Sequence, residues 1–187
     1  MIDRFQKRKK NVLSKLDKSS IGKWDEKIKS LCDKINSLEN YYTTSSCSGR
    51  ILLMIDQEKK GEGLFIFVSH DKVSFNELKN ELILAIKKNK KIKFKVEPCI
   101  LHIACETLED AERIYEKGKN AGWKKSGIIG LKNNFIVELN GTDRLEFPII
   151  QNKKVLVDED FLKLVLEEAN KKLEKSWERI KKLEGEI

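Results

Sequence analysis

Residues 41–55 read Tyr41-Tyr42-Thr43-Thr44-Ser45-Ser46-Cys47-Ser48-Gly49-Arg50-Ile51-Leu52-Leu53-Met54-Ile55. Strand-forming residues lead in and strand-forming residues lead out. Between them stand five small side chains and one guanidinium. Gly49 permits a turn closed to other residues, because glycine opens the left-handed backbone region at no steric cost. Small side chains also let backbone N–H groups come close to a ligand. Arg50 adds a planar set of donors that suits a carboxylate or a phosphate. The same pattern also serves as a plain polar hairpin turn.

Helices bracket a strand-rich middle. Periodicity predicts a helix over residues 2–17, with Phe5, Val12, Leu13 and Leu16 on one stripe and Arg4, Lys7, Arg8, Lys9 and Lys10 on the other face. A second helix over 23–39 turns Trp24, Ile28, Leu31, Cys32, Ile35 and Leu38 inward. Strands follow near 42–47, 50–56 and 64–69. Ser74-Phe75-Asn76-Glu77 is a capping-box sequence and opens a helix. Residues 92–105 read as strand, interrupted at Glu97-Pro98. Thr107-Leu108-Glu109-Asp110 opens another helix, and Gly122 suits its C-terminal cap. Strands recur near 126–131, 134–140 and 145–150. Asp158-Glu159-Asp160 puts negative charge at the start of a final helix over 159–184. This helix turns Phe161, Leu162, Val165, Leu166, Ala169, Leu173, Trp177, Ile180 and Leu183 to one side.

The passages 64–97 and 99–131 share a strand–helix–strand layout. Short gaps between strands favour a mixed, largely antiparallel sheet over a doubly wound one. At 187 residues one domain, 1–187, is the expectation. Lysine plus arginine number 38 against 30 acids, a net +8, which favours a polyanionic partner or a lysine-rich solubilising surface. No apolar run approaches the ~20 residues that span a bilayer. No signal peptide is visible, so a cytoplasmic location is expected. Cys32, Cys47, Cys99 and Cys105 contain no Cys-x-x-Cys pair, and strand alternation separates His102 from Cys99 and Cys105. Reduced thiols and no structural metal are expected.

No Gly-x-Gly-x-x-Gly joins a strand to a helix, so a Rossmann-type cofactor site is unsupported. The segment Tyr41–Ile51 instead resembles the signature of the tRNA wybutosine-synthesizing protein 3 family. Further similarities follow in order: Phe67-Val68-Ser69-His70, Lys93-Phe94-Lys95-Val96-Glu97-Pro98 and Leu101-His102-Ile103. After these come Gly122-Trp123-Lys124-Lys125-Ser126-Gly127-Ile128, Leu145-Glu146-Phe147-Pro148 and Ala169-Asn170-Lys171-Lys172.

The resemblance implies an α+β fold with duplicated strand–helix–strand units and a barrel-like sheet, flanked by N- and C-terminal helices. It implies an S-adenosylmethionine-dependent methyltransferase acting on N4 of a tricyclic, guanosine-derived base at position 37 of phenylalanine tRNA. The anticodon loop of that tRNA would be the partner. It makes Ser45, Ser46, Cys47, Ser48, Gly49 and Arg50 the leading cofactor-binding residues. Ser126 and Gly127 form a second backbone-rich wall, and Asn170 is either a ligand contact or a helix–sheet hydrogen bond. His70 and His102 are the candidate proton acceptors, with Glu97 competing. The tryptophans are core candidates, although Trp123 between a glycine and two lysines also suits base stacking. Two other classes fit parts of the sequence. A non-catalytic RNA-binding module explains the charge. A hydrolase using Cys47 or Ser46 beside a histidine explains the nucleophiles.

Overall fold

The computed structural model describes residues 4–15, 25–57, 61, 63–131 and 135–187. Leu16 and Trp24 lie outside them. The chain forms two compact units, each woven from separate segments. The first takes Met1–Ser48, Cys99–Thr142 and Ser176–Ile187, and the second takes Gly49–Pro98 and Asp143–Lys175.

In the first unit, helices α1 (Arg4–Leu13) and α2 (Glu26–Ser37) precede strand β1 (Tyr41–Cys47). In the second, β2 (Arg50–Ile55), β3 (Phe65–Ser69), helix α3 (Phe75–Ile86) and β4 (Ile92–Glu97) follow. The chain returns to the first unit with β5 (Ile100–Cys105), α4 (Leu108–Asn120), β6 (Gly127–Gly130) and β7 (Phe135–Asn140). The second unit then adds β8 (Leu145–Gln151) and β9 (Lys154–Val155). Helix α5 (Glu159–Glu186) gives its first part to the second unit and its last turns to the first.

The fold is α+β and its strand pairs are antiparallel, as expected. The strands divide between two sheets, ordered β1-β5-β7-β6 and β3-β2-β4-β8-β9. The expected strand–helix–strand passages are both present. β3 and β4 flank β2, and β5 and β6 flank β7, so each helix carries the chain across one intervening strand. The single interrupted strand expected over 92–105 is two strands of different sheets. Pro98 cannot donate to a ladder, and the chain leaves one sheet there for the other. The hairpin reading of 45–50 fails in the same way, since β1 pairs with β5 and β2 pairs with β3 and β4.

Helix ends follow local chemistry. Ser74 and Glu77 form a reciprocal capping box at α3, and Thr107 and Asp110 form one at α4. Asp158 accepts the Phe161 N–H at 2.8 Å and caps α5. Gly122 stops α4 with φ +91°, a conformation closed to most side chains.

Three inward assignments are corrected. α2 ends at Ser37, so Leu38 turns to extended backbone and is 36% exposed. Leu13, at the end of α1, is exposed. Phe161 is exposed and meets the Phe147 ring edge-on at 5.9 Å.

The first unit's core lies on one face of its sheet. Ile28, Leu31, Cys32 and Ile35 of α2, Ile114 of α4, and Ile180 and Leu183 of α5 pack there against Leu101, Ile103, Val137 and Leu139. Trp123 is fully buried in this layer and donates its indole N–H to the Arg179 carbonyl at 3.3 Å. It is therefore a core residue, and the stacking alternative is set aside. Cys32, Cys99 and Cys105 are buried in the same core as unbonded thiols. Burial pushes each thiol up to about 12. The opposite face is covered at one end by α1, whose Phe5 packs on Tyr42 and Ala104 at a ring separation of 5.2 Å from Tyr42.

In the second unit, β4 alternates strictly. Ile92, Phe94 and Val96 are buried, while Lys93, Lys95 and Glu97 are half-exposed. The charged side chains run as an alternating network: Lys91–Asp56–Lys93–Glu146–Lys95–Glu97–Arg50. Among the described residues no helix is long and apolar enough to cross a membrane.

Candidate active site

The small-residue segment divides between strand and link. Ser45, Ser46 and Cys47 belong to β1, Arg50 starts β2, and Ser48 and Gly49 join them. Gly49 adopts φ +99°, the conformation its sequence position called for.

A bulge sets the direction of the β1 side chains. Thr43 pairs with Ile103 but Ser45 pairs with His102, so Thr44 is an extra residue. Side chains alternate faces, and one inserted residue reverses every side chain beyond it. Ser45 therefore joins His102 on the face away from the core. Ser46 is opposite Leu101 on the core face and hydrogen-bonds Cys32.

The outward face carries a polar row. His102 pairs with Ser45 on one side and Glu138 on the other, and Glu138 pairs with Gly127. His102 Nε2 lies 2.8 Å from Glu138 Oε2, with both side chains half-buried. An ionised carboxylate only accepts, so Nε2 is the donor, and a neutral imidazole held this way has its lone pair on Nδ1. A Cβ built on Gly127 would meet nothing within 4 Å, and its φ is not in the left-handed range. Neither packing nor backbone demands glycine there. Such a glycine in a strand marks a place where another backbone or a ligand approaches. Ser126 serves differently. Its hydroxyl donates to the Trp123 carbonyl at 2.6 Å and accepts the Asn140 N–H at 3.3 Å, closing the turn from α4 into β6.

Two side chains grip the link itself. Asp25, at the N-cap of α2, accepts the Ser48 N–H at 2.8 Å instead of capping its own helix. His70, just beyond β3, places Nδ1 3.1 Å from the Gly49 carbonyl. A carbonyl only accepts, so the hydrogen is on Nδ1 and the neutral ring's lone pair is on Nε2. The Ser48 hydroxyl is fully buried and has no hydrogen-bond partner among the described residues. A buried polar atom left without a partner costs about 1–3 kcal/mol, which a bound ligand can offset.

In the second unit, Arg50 Nε and Nη2 both reach Glu97 Oε2 at 2.8 Å, and the guanidinium lies over the Phe65 ring at 5.0 Å. The other Glu97 oxygen lies 3.4 Å from Lys95. Glu97 is thus spoken for by two cations. Asn170 accepts the Val73 N–H at 3.0 Å and donates to the Val73 carbonyl at 2.9 Å. This pins the loop that follows His70 to α5, so the bond joins helix to loop and not helix to sheet.

The structure brings together Ser45, His102 and Gly127 in the first unit. It brings together Gly49 and His70, and Arg50 and Glu97, in the second. Sequence reasoning missed Glu138 and Asp25. Glu138 is the lone acid in the apolar strand Phe135-Ile136-Val137-Glu138-Leu139, but its partner depends on strand order. Asp25 falls inside the helix expected over 23–39, and its bond to Ser48 depends on tertiary packing.

Residues 7–187 match the family model described as Methyltransferase TYW3. The chain is similar to a Pyrococcus furiosus protein named tRNA(Phe) 7-((3-amino-3-carboxypropyl)-4-demethylwyosine(37)-N(4))-methyltransferase 1, at 37% identity over 99% of this chain and 95% of the relative. It is 35% identical to a Danio rerio protein named tRNA wybutosine-synthesizing protein 3 homolog, over 96% of this chain and 73% of the relative. A solved Pyrococcus horikoshii protein superposes with a TM-score of 0.86 at 34% identity, covering 98% of this chain and 93% of its own. The chain belongs to the TYW3 methyltransferase family.

Proposed function

We propose that this chain is a cytoplasmic, S-adenosylmethionine-dependent methyltransferase. It acts on N4 of the 4-demethylwyosine-type base at position 37 of phenylalanine tRNA, with residues 1–187 working as one methyltransferase domain. The observation that carries this reading is the full-length similarity to the Pyrococcus furiosus protein of that name.

The residues present fit a polar, nucleoside-bearing ligand. The partnerless Ser48 hydroxyl offers a hydrogen bond, and the open space at Gly127 lets a ligand approach backbone. Ser45, Ser46, Cys47, Ser48, Ser126 and Gly127 of the first unit are assigned to holding the cofactor. Within the second unit, Gly49, Arg50 and Asn170 are assigned to ligand binding. Ser126 and Asn170 act through the turns they pin. When bound, the cofactor would supply a sulfonium methyl group as the electrophile for the base nitrogen.

The chain's own work is alignment and proton removal. His70 is the favoured acceptor, at Nε2, because its other nitrogen is tied to the Gly49 carbonyl. His102, with its lone pair on Nδ1, is the second candidate. Glu97 is assigned to orienting Arg50, since its two oxygens face Arg50 and Lys95. Position 37 lies in an anticodon loop, where bases are unpaired and extrusion is cheap.

Arg50→Ala is expected to lower turnover at least tenfold, about 1.4 kcal/mol or more of lost stabilisation. Calorimetric titration with S-adenosylmethionine and S-adenosylhomocysteine, alongside turnover, separates cofactor from RNA binding. Full turnover with unchanged cofactor affinity in a folded Arg50→Ala variant would remove Arg50 from the site.

A further inference from the structure

We propose that the exposed face of α1 is a docking surface for the phosphates of the tRNA anticodon arm, laid beside the polar row of the first unit's sheet. The inference rests on the tRNA reading above and names the surface that would carry the RNA.

Composition singles out α1. Its ten residues include five cations, Arg4, Lys7, Arg8, Lys9 and Lys10, and no acid. Like charges three or four residues apart destabilise a helix. α1 contains Arg4–Lys7, Arg4–Arg8 and Lys7–Lys10 at such spacings. The other described helices carry acids among their cations. On α4, Arg113 is bound to Glu109. On α5, Lys163 is bound to Asp160, and Lys171 to Glu167 and Glu168. Lys7, Arg8 and Lys10 have no ion pair among the described residues and are exposed. A purely solubilising surface does not need to concentrate unpaired cations on one short helix. A polyanion supplies the missing counter-charge.

Placement supplies the second support. α1 is fixed by Phe5 on Tyr42 and Ala104, by Val12 against the same cluster, and by the Gln6 amide and Lys9 ammonium on the Glu39 and Leu38 carbonyls. It therefore lies on the outward face of the sheet, over the row Tyr42–Ala104–Ile136. The next outward row on the same strands is Ser45–His102–Glu138–Gly127. Residues two apart on a strand are separated by roughly 7 Å. α1 thus covers the row next to the one that carries Ser45 and His102.

The second lysine-rich stretch differs. Lys91 and Lys93 are bound to Asp56, and Lys93 also to Glu146, inside the second unit's ion network. Lys87, Lys88 and Lys90 are exposed and serve as the comparison.

The test uses full-length protein and a phenylalanine tRNA anticodon stem-loop, read by fluorescence anisotropy across a salt series. Three proteins are compared: wild type, Lys7→Gln/Arg8→Gln/Lys10→Gln, and Lys87→Gln/Lys88→Gln/Lys90→Gln. Gln keeps helix propensity, and circular dichroism checks that α1 is intact. The α1 variant is expected to bind at least tenfold more weakly, with the slope of log affinity against log salt reduced by about 2–3. The comparison variant is expected to lose less than half of that slope. An unchanged slope in a folded α1 variant, or an equal loss in both variants, overturns the docking surface. Methyl transfer by wild type is measured in parallel. Its absence counts against the methyltransferase reading, whereas an unchanged α1 slope beside normal methyl transfer counts against the surface alone.

Discussion

His70→Asn is expected to lower the single-turnover rate of methyl transfer about 10²-fold, with cofactor affinity changed far less. His70 is tied to the link between β1 and β2 through the Gly49 carbonyl, and this bond puts its lone pair on Nε2. Asparagine retains an N–H donor near the Nδ1 position, so the Gly49 contact survives while the basic nitrogen is lost. The acidic limb of the rate–pH profile should vanish with it, because that limb reports protonation of the acceptor. His102→Asn is the parallel variant. Its imidazole is held by Glu138 on the adjacent strand β7, and a smaller loss is expected there. A large loss in His102→Asn with a normal His70→Asn would exchange their roles. Wild-type rate and pH profile in both would leave alignment alone as the source of catalysis.

Trp123→Ala is expected to destabilise the protein by about 3–5 kcal/mol, the usual cost of removing a large aromatic from a close-packed core. The indole is fully buried among α4, α5 and β7 residues, and its N–H is paired with Arg179. Natural domains have about 5–15 kcal/mol in total, so this variant should unfold well below wild type in a denaturant titration. Trp123→Phe keeps most of the apolar area and should lose clearly less. If Trp123→Ala matched wild-type stability but lost RNA affinity, the indole would be a stacking surface and the core assignment would fall.

These two residues also mark what the sequence could and could not convey. Local signals were legible because their physics is local. The boxes at Ser74–Glu77 and Thr107–Asp110, the acids before α5, and the four-residue rhythm of Ile28, Leu31, Cys32 and Ile35 depend only on near neighbours. The segment Ser45–Arg50 stood out by side-chain size, and Gly49 by the backbone it permits. Strand partners were not legible, since register is decided between residues far apart in sequence. The bulge at Thr44 decides which of Ser45 and Ser46 faces His102, yet nothing in Thr43-Thr44-Ser45 announces it. Glu138 reaches His102 only because β7 pairs with β5. Asp25, expected inside a helix, stands just before it and gives its carboxylate to the Ser48 N–H, 23 residues on. Leu38 and Phe161 fitted their helical stripes and are exposed all the same, Leu38 because α2 had ended.

The central claim is methyl transfer to the base at position 37. Its most direct measurement incubates the purified chain with S-adenosylmethionine carrying an isotopic methyl group and with phenylalanine tRNA bearing the 4-demethylwyosine-type precursor. The tRNA is then digested to nucleosides for mass spectrometry. The account predicts that the precursor nucleoside gains one labelled methyl group on the tricyclic base, and that tRNA lacking the precursor gains none. Unmodified precursor after incubation with folded protein, or label on another nucleoside, would contradict it.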